Sequence, residues 1–133
     1  MAELVAKTVA TEVGRMEADD GVLLCFSTAP SLDLAKAIAS VLLERRLVAC
    51  VSVVPGAVSM YRWEGQVQCE NEVWLLIKTT QAQCAELQDA FVELHPYEVP
   101  EWLVVSTVSA LPAYVQWVFE SVAPVKKNNV VES

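Results

Sequence analysis

Two long apolar segments joined by a short turn restrict the fold of this chain more than any other feature. The first is VACVSVVPGAVSMYRW (48–63) and the second is QVQCENEVWLLIKTT (66–80), with Glu64 and Gly65 between them. β-Branched and aromatic residues are frequent in both segments, which is typical of strands. The pattern therefore predicts a long β-hairpin that turns at Glu64-Gly65.

The arms of this hairpin are longer than one small subunit can cover. About thirteen extended residues span on the order of 43 Å, which is roughly twice a typical strand. Pro55 and Gly56 predict a bulge or bend, which keeps this point of the first arm at a sheet edge. The outer halves of the arms need pairing partners, and a closed symmetric assembly of identical chains supplies them.

The composition also favours self-association. Of the 133 residues, 54% are hydrophobic and 20% are charged, which is apolar for a soluble domain of this size. The uncharged stretches 47–61 and 102–119 are interrupted by polar residues and proline, so we predict no membrane span. The surplus apolar surface is then expected to lie between copies of the chain.

The charge balance argues against nucleic acid as a partner. Seventeen acidic and nine basic residues give a net charge of −8, which repels phosphate backbones. The sequence also contains no P-loop, dinucleotide-binding, zinc-protease or nucleophile-elbow motif. We therefore expect a non-enzymatic protein with no organic cofactor.

The chain is predicted to form one domain over residues 21–123, between a flexible N-terminal extension (1–20) and a flexible tail (124–133). The first twenty residues lack the pattern of a secretory signal. The four cysteines include no C-x-x-C pair, which favours reduced thiols. These features predict a cytoplasmic protein.

Local patterns predict the elements before and after the hairpin. The apolar run VLLCFSTA (22–29) predicts a buried strand, and Ser31 is a suitable N-cap for the helix that follows. Thr80 and Gln83 have the spacing of a capping box, which predicts the start of a second helix.

The remaining elements complete the order β-α-β-β-α-β with an extra C-terminal helix. The second helix is expected to stop before Pro96, EWLVVSTVSA (101–110) predicts the fourth strand, and Pro112 suits the first turn of the last helix. This order is the α+β, ferredoxin-like arrangement, with an antiparallel sheet and both long helices on one face. The other face is expected to be open and apolar.

Four motifs resemble the CutA family, which is named for divalent-cation tolerance. They are STAP (27–30), ACVSVVPGAVSMYRWEG (49–65), EVWLLIKTT (72–80) and HPYEVPE (95–101). The resemblance implies a ferredoxin-like subunit in a tight homotrimer, similar to the PII signalling proteins, in which the long hairpins pair between subunits. It also implies a role in the tolerance of, or response to, divalent metal ions.

The resemblance also suggests positions for copper ligands. The family's bacterial ligands are a cysteine in the first strand and a His-His pair, and these positions correspond to Ser27, Leu94 and His95 here. Only His95 retains a good donor, since a hydroxyl is a poor copper ligand and leucine is none. His95 is therefore a candidate for weak copper or other divalent-cation binding, and the alternative is a hydrogen-bonding cap at the end of the second helix.

Cys25 is a candidate substitute for the missing cysteine. It lies on the same strand face as Ser27 but is displaced by about 6.6 Å along the strand. The alternative, which the apolar surroundings favour, is a buried core thiol.

Aromatic and charged residues near the turn and after the second helix predict a cleft between subunits. Packing into a neighbouring subunit is the simpler explanation of the aromatic residues. As a site, the cleft would accept a hard cation or a small polar ligand. Its predicted residues are Tyr61, Trp63, Glu64, Lys78, Tyr97, Glu98 and Glu101.

Three functions are compatible with these patterns. The leading hypothesis is a cytoplasmic homotrimer that acts in metal tolerance through cation binding. The rival is a PII-like sensor that binds a small metabolite in the inter-subunit cleft. A third possibility, a small isomerase-like enzyme, has only fold analogy to support it.

Overall fold

The computed structural model describes residues 21–124 and confirms the α+β fold. Its four strands form one antiparallel sheet in the order β2-β3-β1-β4, and three helices accompany it. The predicted extension (1–20) and all of the predicted tail except Pro124 lie outside the described residues. The elements are β1 (Val22–Ala29), α1 (Leu32–Glu44), β2 (Cys50–Trp63), β3 (Gln66–Thr80), α2 (Gln81–Leu94), β4 (Leu103–Ser106) and α3 (Pro112–Ser121).

The main hydrophobic core lies between one face of the sheet and the helices α1 and α2. Strand residues alternate between faces, so Val73, Leu75 and Ile77 of β3 point into this core. Helix α1 supplies Leu42 and α2 supplies Phe91, both fully buried in the same cluster. We call this side of the sheet the helix-covered face.

The opposite side is exposed and apolar over most of its area. Directly paired residues of an antiparallel sheet share a face, so Val54 lies beside Trp74, Leu24 beside Val105 and Phe26 beside Leu103. We define the open face by these six residues. Trp74, Leu103, Val105 and Val54 are all exposed, so the predicted open apolar face is confirmed in the single chain.

The long hairpin has the predicted turn and bulge. Strand β2 contains 14 residues and β3 contains 15, and they pair from Cys50–Lys78 to Trp63–Gln66. The register shifts between Val54 and Ala57, at the predicted Pro-Gly bulge.

The β1 strand ends well before the hairpin does. Its last pair with β3 is Ala29–Val73, so residues 66–72 of β3 pair only with 57–63 of β2. We call residues 57–72 the outer hairpin. It extends beyond the body of the domain, as the length of the arms predicted.

Helix α3 covers one end of the sheet on the side of the open face. Val118 and Val122 pack there against Val22 and Ala49 in a second, smaller core. Arg46 donates hydrogen bonds to the last carbonyl groups of this helix, including one of 3.0 Å to that of Glu120. Among residues 21–124, no helix has the length and apolar character needed to cross a bilayer.

One helix cap is confirmed and the other is not. The Ser31 hydroxyl accepts a hydrogen bond from the Leu34 backbone N–H, as predicted. Thr80 lies at the N-cap position of α2, but its side chain makes no cap hydrogen bond. The capping-box prediction was wrong because Gln83 instead donates to the Ala123 carbonyl, 2.9 Å away, and thereby ties α2 to the end of α3.

The fourth strand is shorter than predicted. Only Leu103–Ser106 joins the sheet, instead of residues 101–110. The preceding residue, Trp102, packs on the Phe91 ring, and the following residue, Thr107, donates its hydroxyl to the Val22 carbonyl at the start of β1. Because β1 begins there, no further partner remains for a longer strand.

Candidate functional site

His95 lies where α2 ends, and both of its ring nitrogens are engaged. The side chain is only 6% exposed. Its Nε2 is 2.8 Å from the Thr28 carbonyl oxygen, and the Tyr97 backbone N–H donates to Nδ1 over 3.1 Å. A carbonyl can only accept and a backbone N–H can only donate, so the ring carries its proton on Nε2. In this arrangement neither nitrogen has a free lone pair for a metal ion.

Ser27 occupies the family's cysteine position and is also committed to a hydrogen bond. Its buried hydroxyl donates to the Glu101 carbonyl over 2.7 Å. Ser27 and Thr28 are neighbours in β1, so the structure brings Ser27 and His95 to the same end of that strand. Through these hydrogen bonds the two side chains connect β1 to the segment between α2 and β4, so the structure gives both of them a structural role.

Cys25 points into the main core, and its sulphur partner is Cys84 of α2. Burial, and to a smaller extent the neighbouring Cys84, raise the pKa of the Cys25 thiol to about 12. Burial also raises the pKa of Cys84, while a hydrogen bond from the Cys25 thiol lowers it. The sequence identified Cys25 as a soft donor but not the thiol that it contacts.

Tyr61 and Tyr97 of the predicted cleft come together beside two glutamates of β3. Loss of hydration, then the charge of Glu70 and a hydrogen bond to it, raise the pKa of the Tyr61 phenol, and Glu72 and Tyr97 contribute. Desolvation, Glu72 and Glu70 raise the pKa of Tyr97 in the same way. We call these four residues the tyrosine–glutamate cluster.

The sequence analysis did not identify Glu70 and Glu72, although the predicted hairpin register places them near Tyr61. The turn at Glu64-Gly65 pairs Tyr61 with Gln68, so Glu70 is its diagonal neighbour on the same face. Glu72 lies one further step along that face. Only the approach of Tyr97 required the tertiary structure, because it depends on where α2 ends.

The other predicted cleft residues do not join this cluster within one chain. Trp63 and Glu64 lie at the tip of the hairpin. Lys78 lies at the opposite end of β3, about 43 Å from the turn at 3.3 Å per residue. Its ammonium donates to the Ser52 hydroxyl at 2.9 Å and lies 3.6 Å from the Cys50 sulphur.

Glu98 and Glu101 are exposed in the segment that follows α2. Glu101 contributes its backbone carbonyl, which accepts the Ser27 hydrogen bond described above. Among residues 21–124, no three His, Cys, Asp or Glu side chains are close enough to hold a metal ion together. The tyrosine–glutamate cluster therefore supplies only part of a coordination shell for a hard cation, with two carboxylates and two phenol oxygens.

Comparison with known proteins gives a consistent result over most of the chain. The family model of the CutA1 divalent ion tolerance protein matches residues 23–121. The divalent-cation tolerance protein CutA of Thermus thermophilus is 42% identical over 94 residues, which cover 71% of this chain and 91% of that protein. The CutA homolog of Xenopus laevis is 35% identical over 122 residues, or 89% of this chain and 81% of the relative.

A solved structure shares the fold described above. The crystal structure of CutA from Xylella fastidiosa superposes with a TM-score of 0.75 at 41% identity. The match covers 77% of this chain and 99% of that one.

Proposed function

Because the chain belongs to the CutA1 divalent ion tolerance family, we propose that it binds divalent cations directly, as a non-enzymatic cytoplasmic homotrimer. The observation that carries this proposal is the tyrosine–glutamate cluster where the outer hairpin leaves the domain. Carboxylate oxygens are the donors that hard divalent ions prefer.

The electrostatics of the cluster favour a cation. Glu70 and Glu72 are two residues apart on one strand, and both act on the same two phenols. A divalent ion would neutralise the paired carboxylates, whereas an anion would meet their repulsion. The chain as a whole, with its net charge of −8, adds a favourable long-range field for cations.

The apolar surfaces support the proposed homotrimer. Trp74, Leu103 and Val105 of the open face are exposed in the single chain, and so are Trp63 and Val67 of the outer hairpin. Apolar surface of this extent is typical of an interface. Neighbouring chains would also supply further donors to the tyrosine–glutamate cluster, whose own oxygens leave a coordination shell incomplete.

Copper binding at the family's ligand positions is expected to be weak. Ser27 and His95 would each have to give up a buried hydrogen bond before binding an ion. Breaking such a bond costs about 1–3 kcal/mol for each group left unpaired. Copper affinity is therefore expected to depend little on His95.

Calorimetric titration of the full chain with Mn²⁺ tests the proposal. The Glu70→Gln/Glu72→Gln variant is expected to lose most of the binding heat, because it keeps the shape of both side chains and removes both charges. The matched control is Glu44→Gln, an exposed carboxylate on α1, which is expected to bind as the unaltered chain does. Absence of Mn²⁺ heat in the unaltered chain, or full heat in the double variant, would contradict the proposal.

One observation favours a small-ligand sensor as the second candidate. Lys78 is half-buried beside the apolar open face, and its ammonium contacts two neutral acceptors, Ser52 and Cys50. An unneutralised ammonium in such surroundings is suited to an anionic ligand. Calorimetric titration of the unaltered chain and of Lys78→Gln with citrate and with inorganic phosphate tests this second function. The heat of anion binding is expected to be lost in Lys78→Gln, whereas the heat of Mn²⁺ binding is expected to remain.

A further inference from the structure

His95 contacts Tyr97, a member of the tyrosine–glutamate cluster, in two separate ways. The Tyr97 backbone N–H donates to His95 Nδ1 over 3.1 Å, and the centroids of the two rings lie 4.7 Å apart. Both contacts are made by the imidazole ring, so the position of Tyr97 depends on where that ring lies. His95 is therefore connected to the candidate cation site although neither of its nitrogens is free to bind an ion.

The imidazole ring is itself held in one orientation. Its Nε2 donates to the Thr28 carbonyl over 2.8 Å, and the ring packs on the fully buried Phe91 with 5.4 Å between the ring centroids. A buried side chain that is fixed by packing and by two hydrogen bonds is suited to hold a neighbouring group in place.

The register of the sheet places this ring near the two glutamates. Thr28, which binds Nε2, pairs with Trp74, and the last residue of β1 pairs with Val73. Glu72 is therefore the first residue of β3 beyond the end of β1. It lies two residues from Trp74 on the same face of the strand, a distance of about 6.6 Å.

The backbone around Tyr97 has no regular structure that would fix its position. Residues 95–102 lie between the end of α2 at Leu94 and the start of β4 at Leu103, and they form neither helix nor strand. The preceding residue, Pro96, has no backbone N–H to donate. The contacts with His95 are therefore expected to determine where the Tyr97 phenol lies.

From these contacts we propose that His95 is a positioning residue for the divalent-cation site: its ring holds Tyr97 beside Glu70 and Glu72 and does not bind the ion. The inference rests on the proposed function, because it requires that the tyrosine–glutamate cluster binds the ion. Residues that orient metal ligands from outside the coordination shell typically change the metal affinity by about 10–100-fold when they are replaced.

Two substitutions separate the two hydrogen bonds of the ring. His95→Gln places an amide N–H near the position of Nε2 but leaves no acceptor for the Tyr97 N–H, so the Mn²⁺ affinity measured by calorimetry is expected to fall about ten-fold. His95→Asn places a carbonyl oxygen near the position of Nδ1 and is expected to recover part of that loss. An unchanged affinity in His95→Gln, or equal losses in both variants, would overturn the proposal.

Ser27→Ala is the matched control for a general loosening of this region. The Ser27 hydroxyl also ties β1 to the segment after α2, through the Glu101 carbonyl 2.7 Å away, but its partner is not a member of the cluster. This variant is expected to lower the free energy of unfolding and to leave the Mn²⁺ affinity unchanged. A fall in affinity as large as that of His95→Gln would contradict a specific role of His95.

A double-mutant cycle provides a readout that a merely structural role would not change. Tyr97→Phe removes the phenol oxygen and keeps the ring. If His95 acts through that oxygen, His95→Gln is expected to cause no further loss of Mn²⁺ affinity in the Tyr97→Phe background. Two losses that multiply would show that His95 affects the ion by another route, and the assignment would be wrong.

Nitrogen NMR of the unaltered chain tests the same assignment without any substitution at a buried residue. His95 is the only histidine of the chain, so its ring signals need no further assignment. The Nε2–H tautomer is expected both without added ions and with Ca²⁺ at a concentration that displaces Mn²⁺. A protonated Nδ1, or a ring nitrogen whose signal shows that it binds the ion, would rule out the positioning role.

Failure of this inference is distinguishable from failure of the proposed function. If Mn²⁺ binding is lost in Glu70→Gln/Glu72→Gln but unchanged in His95→Gln, only the role of His95 is wrong. If the unaltered chain gives no Mn²⁺ heat, the divalent-cation proposal is wrong and the role of His95 falls with it.

Discussion

The two ends of strand β3 have opposite environments although they belong to one continuous strand. Near α2, Leu75 and Ile77 are fully buried under the helices. In the outer hairpin, Val67 is 61% exposed, and Met60 and Trp63 across the hairpin are 68% and 63% exposed. Apolar residues of the outer hairpin therefore remain exposed, whereas those of the inner end are buried.

The two ends of β3 differ in the number of strands and helices that pack against them. The inner end of β3 lies between β1 and β2 and has two helices over one face, whereas the outer end pairs only with β2. A two-stranded ribbon is marginally stable alone in water. The inner end therefore stabilises the subunit, and the outer end is expected to be covered by neighbouring chains in the proposed homotrimer.

The largest expected effect concerns assembly. The unaltered chain is expected to sediment as an oligomer of about three chain masses, and Val105→Lys on the open face to sediment as a single chain, because an unpaired buried charge is too costly. Leu43→Lys, at an exposed apolar position of α1, is the control and is expected to remain assembled. If the unaltered chain sediments as a soluble single protomer, the inference that the outer hairpin and the open face are covered by neighbouring chains is wrong.

The next effect compares the two ends of β3 directly. Leu75→Ala is expected to lower the free energy of unfolding by about 2–5 kcal/mol, because it leaves a cavity in the core. Val67→Ala, measured in the unassembled Val105→Lys background, is expected to change it by at most about 0.5 kcal/mol. Urea unfolding provides both values, and equal costs at the two sites would show that the outer hairpin is packed within one chain.

A pH dependence distinguishes the covered region from the outer hairpin. A thiol in an unfolded chain ionises at about pH 8.5. The folded chain holds the Cys25 proton up to a pKa of about 12, so this contribution to stability is complete below the unfolded value and is lost as the pH rises toward the folded one. The expected loss is about 1.4 kcal/mol per pH unit between these two values.

Urea unfolding at alkaline pH measures that slope. Cys25→Ala is expected to remove it and Cys69→Ser, in the outer hairpin, to retain it. A slope that is the same in the chain with Cys25→Ala would assign the alkaline loss of stability to other groups.

The last prediction concerns Gly65 at the tip of the hairpin, where only the backbone conformation is expected to affect the free energy of unfolding. Gly65 has a φ of +80°, and a Cβ added there would meet no atom within 4 Å. Gly65→Ala is therefore expected to cost about 1 kcal/mol through backbone strain, without any loss of packing. Thermal unfolding measures it, and a cost as large as that of Leu75→Ala would show that the tip carries packing contacts as well.

Several local features followed from the sequence because neighbouring residues decide them. Ser31 caps α1 through an N–H three residues away, and the hairpin turns where Glu64 and Gly65 both adopt positive φ angles. The predictions that failed were those that depended on distant partners. Gln83 was assigned to a local cap, and it instead binds the Ala123 carbonyl 40 residues away.

The candidate sites also combine residues that the sequence identified with residues that only the fold brings near them. Tyr61, Tyr97 and Cys25 were identified as donors by residue type, but their companions Glu70, Glu72 and Cys84 were not. The register of the hairpin determines the first two companions, and the packing of α2 on the sheet determines the third. Residue type indicates what a side chain can bind, and only the fold determines which donors meet.

The sequence by itself determined the order of the elements, the bounds of the hairpin and the presence of more apolar surface than one subunit needs. These follow from hydrophobic periodicity and turn chemistry, which act over a few residues. The tertiary structure alone decided that β4 stops after four residues, that both His95 nitrogens are engaged, and that Cys84 is a neighbour of the buried Cys25. Such contacts join residues far apart in the chain, and their geometry exists only once helices and sheet have packed.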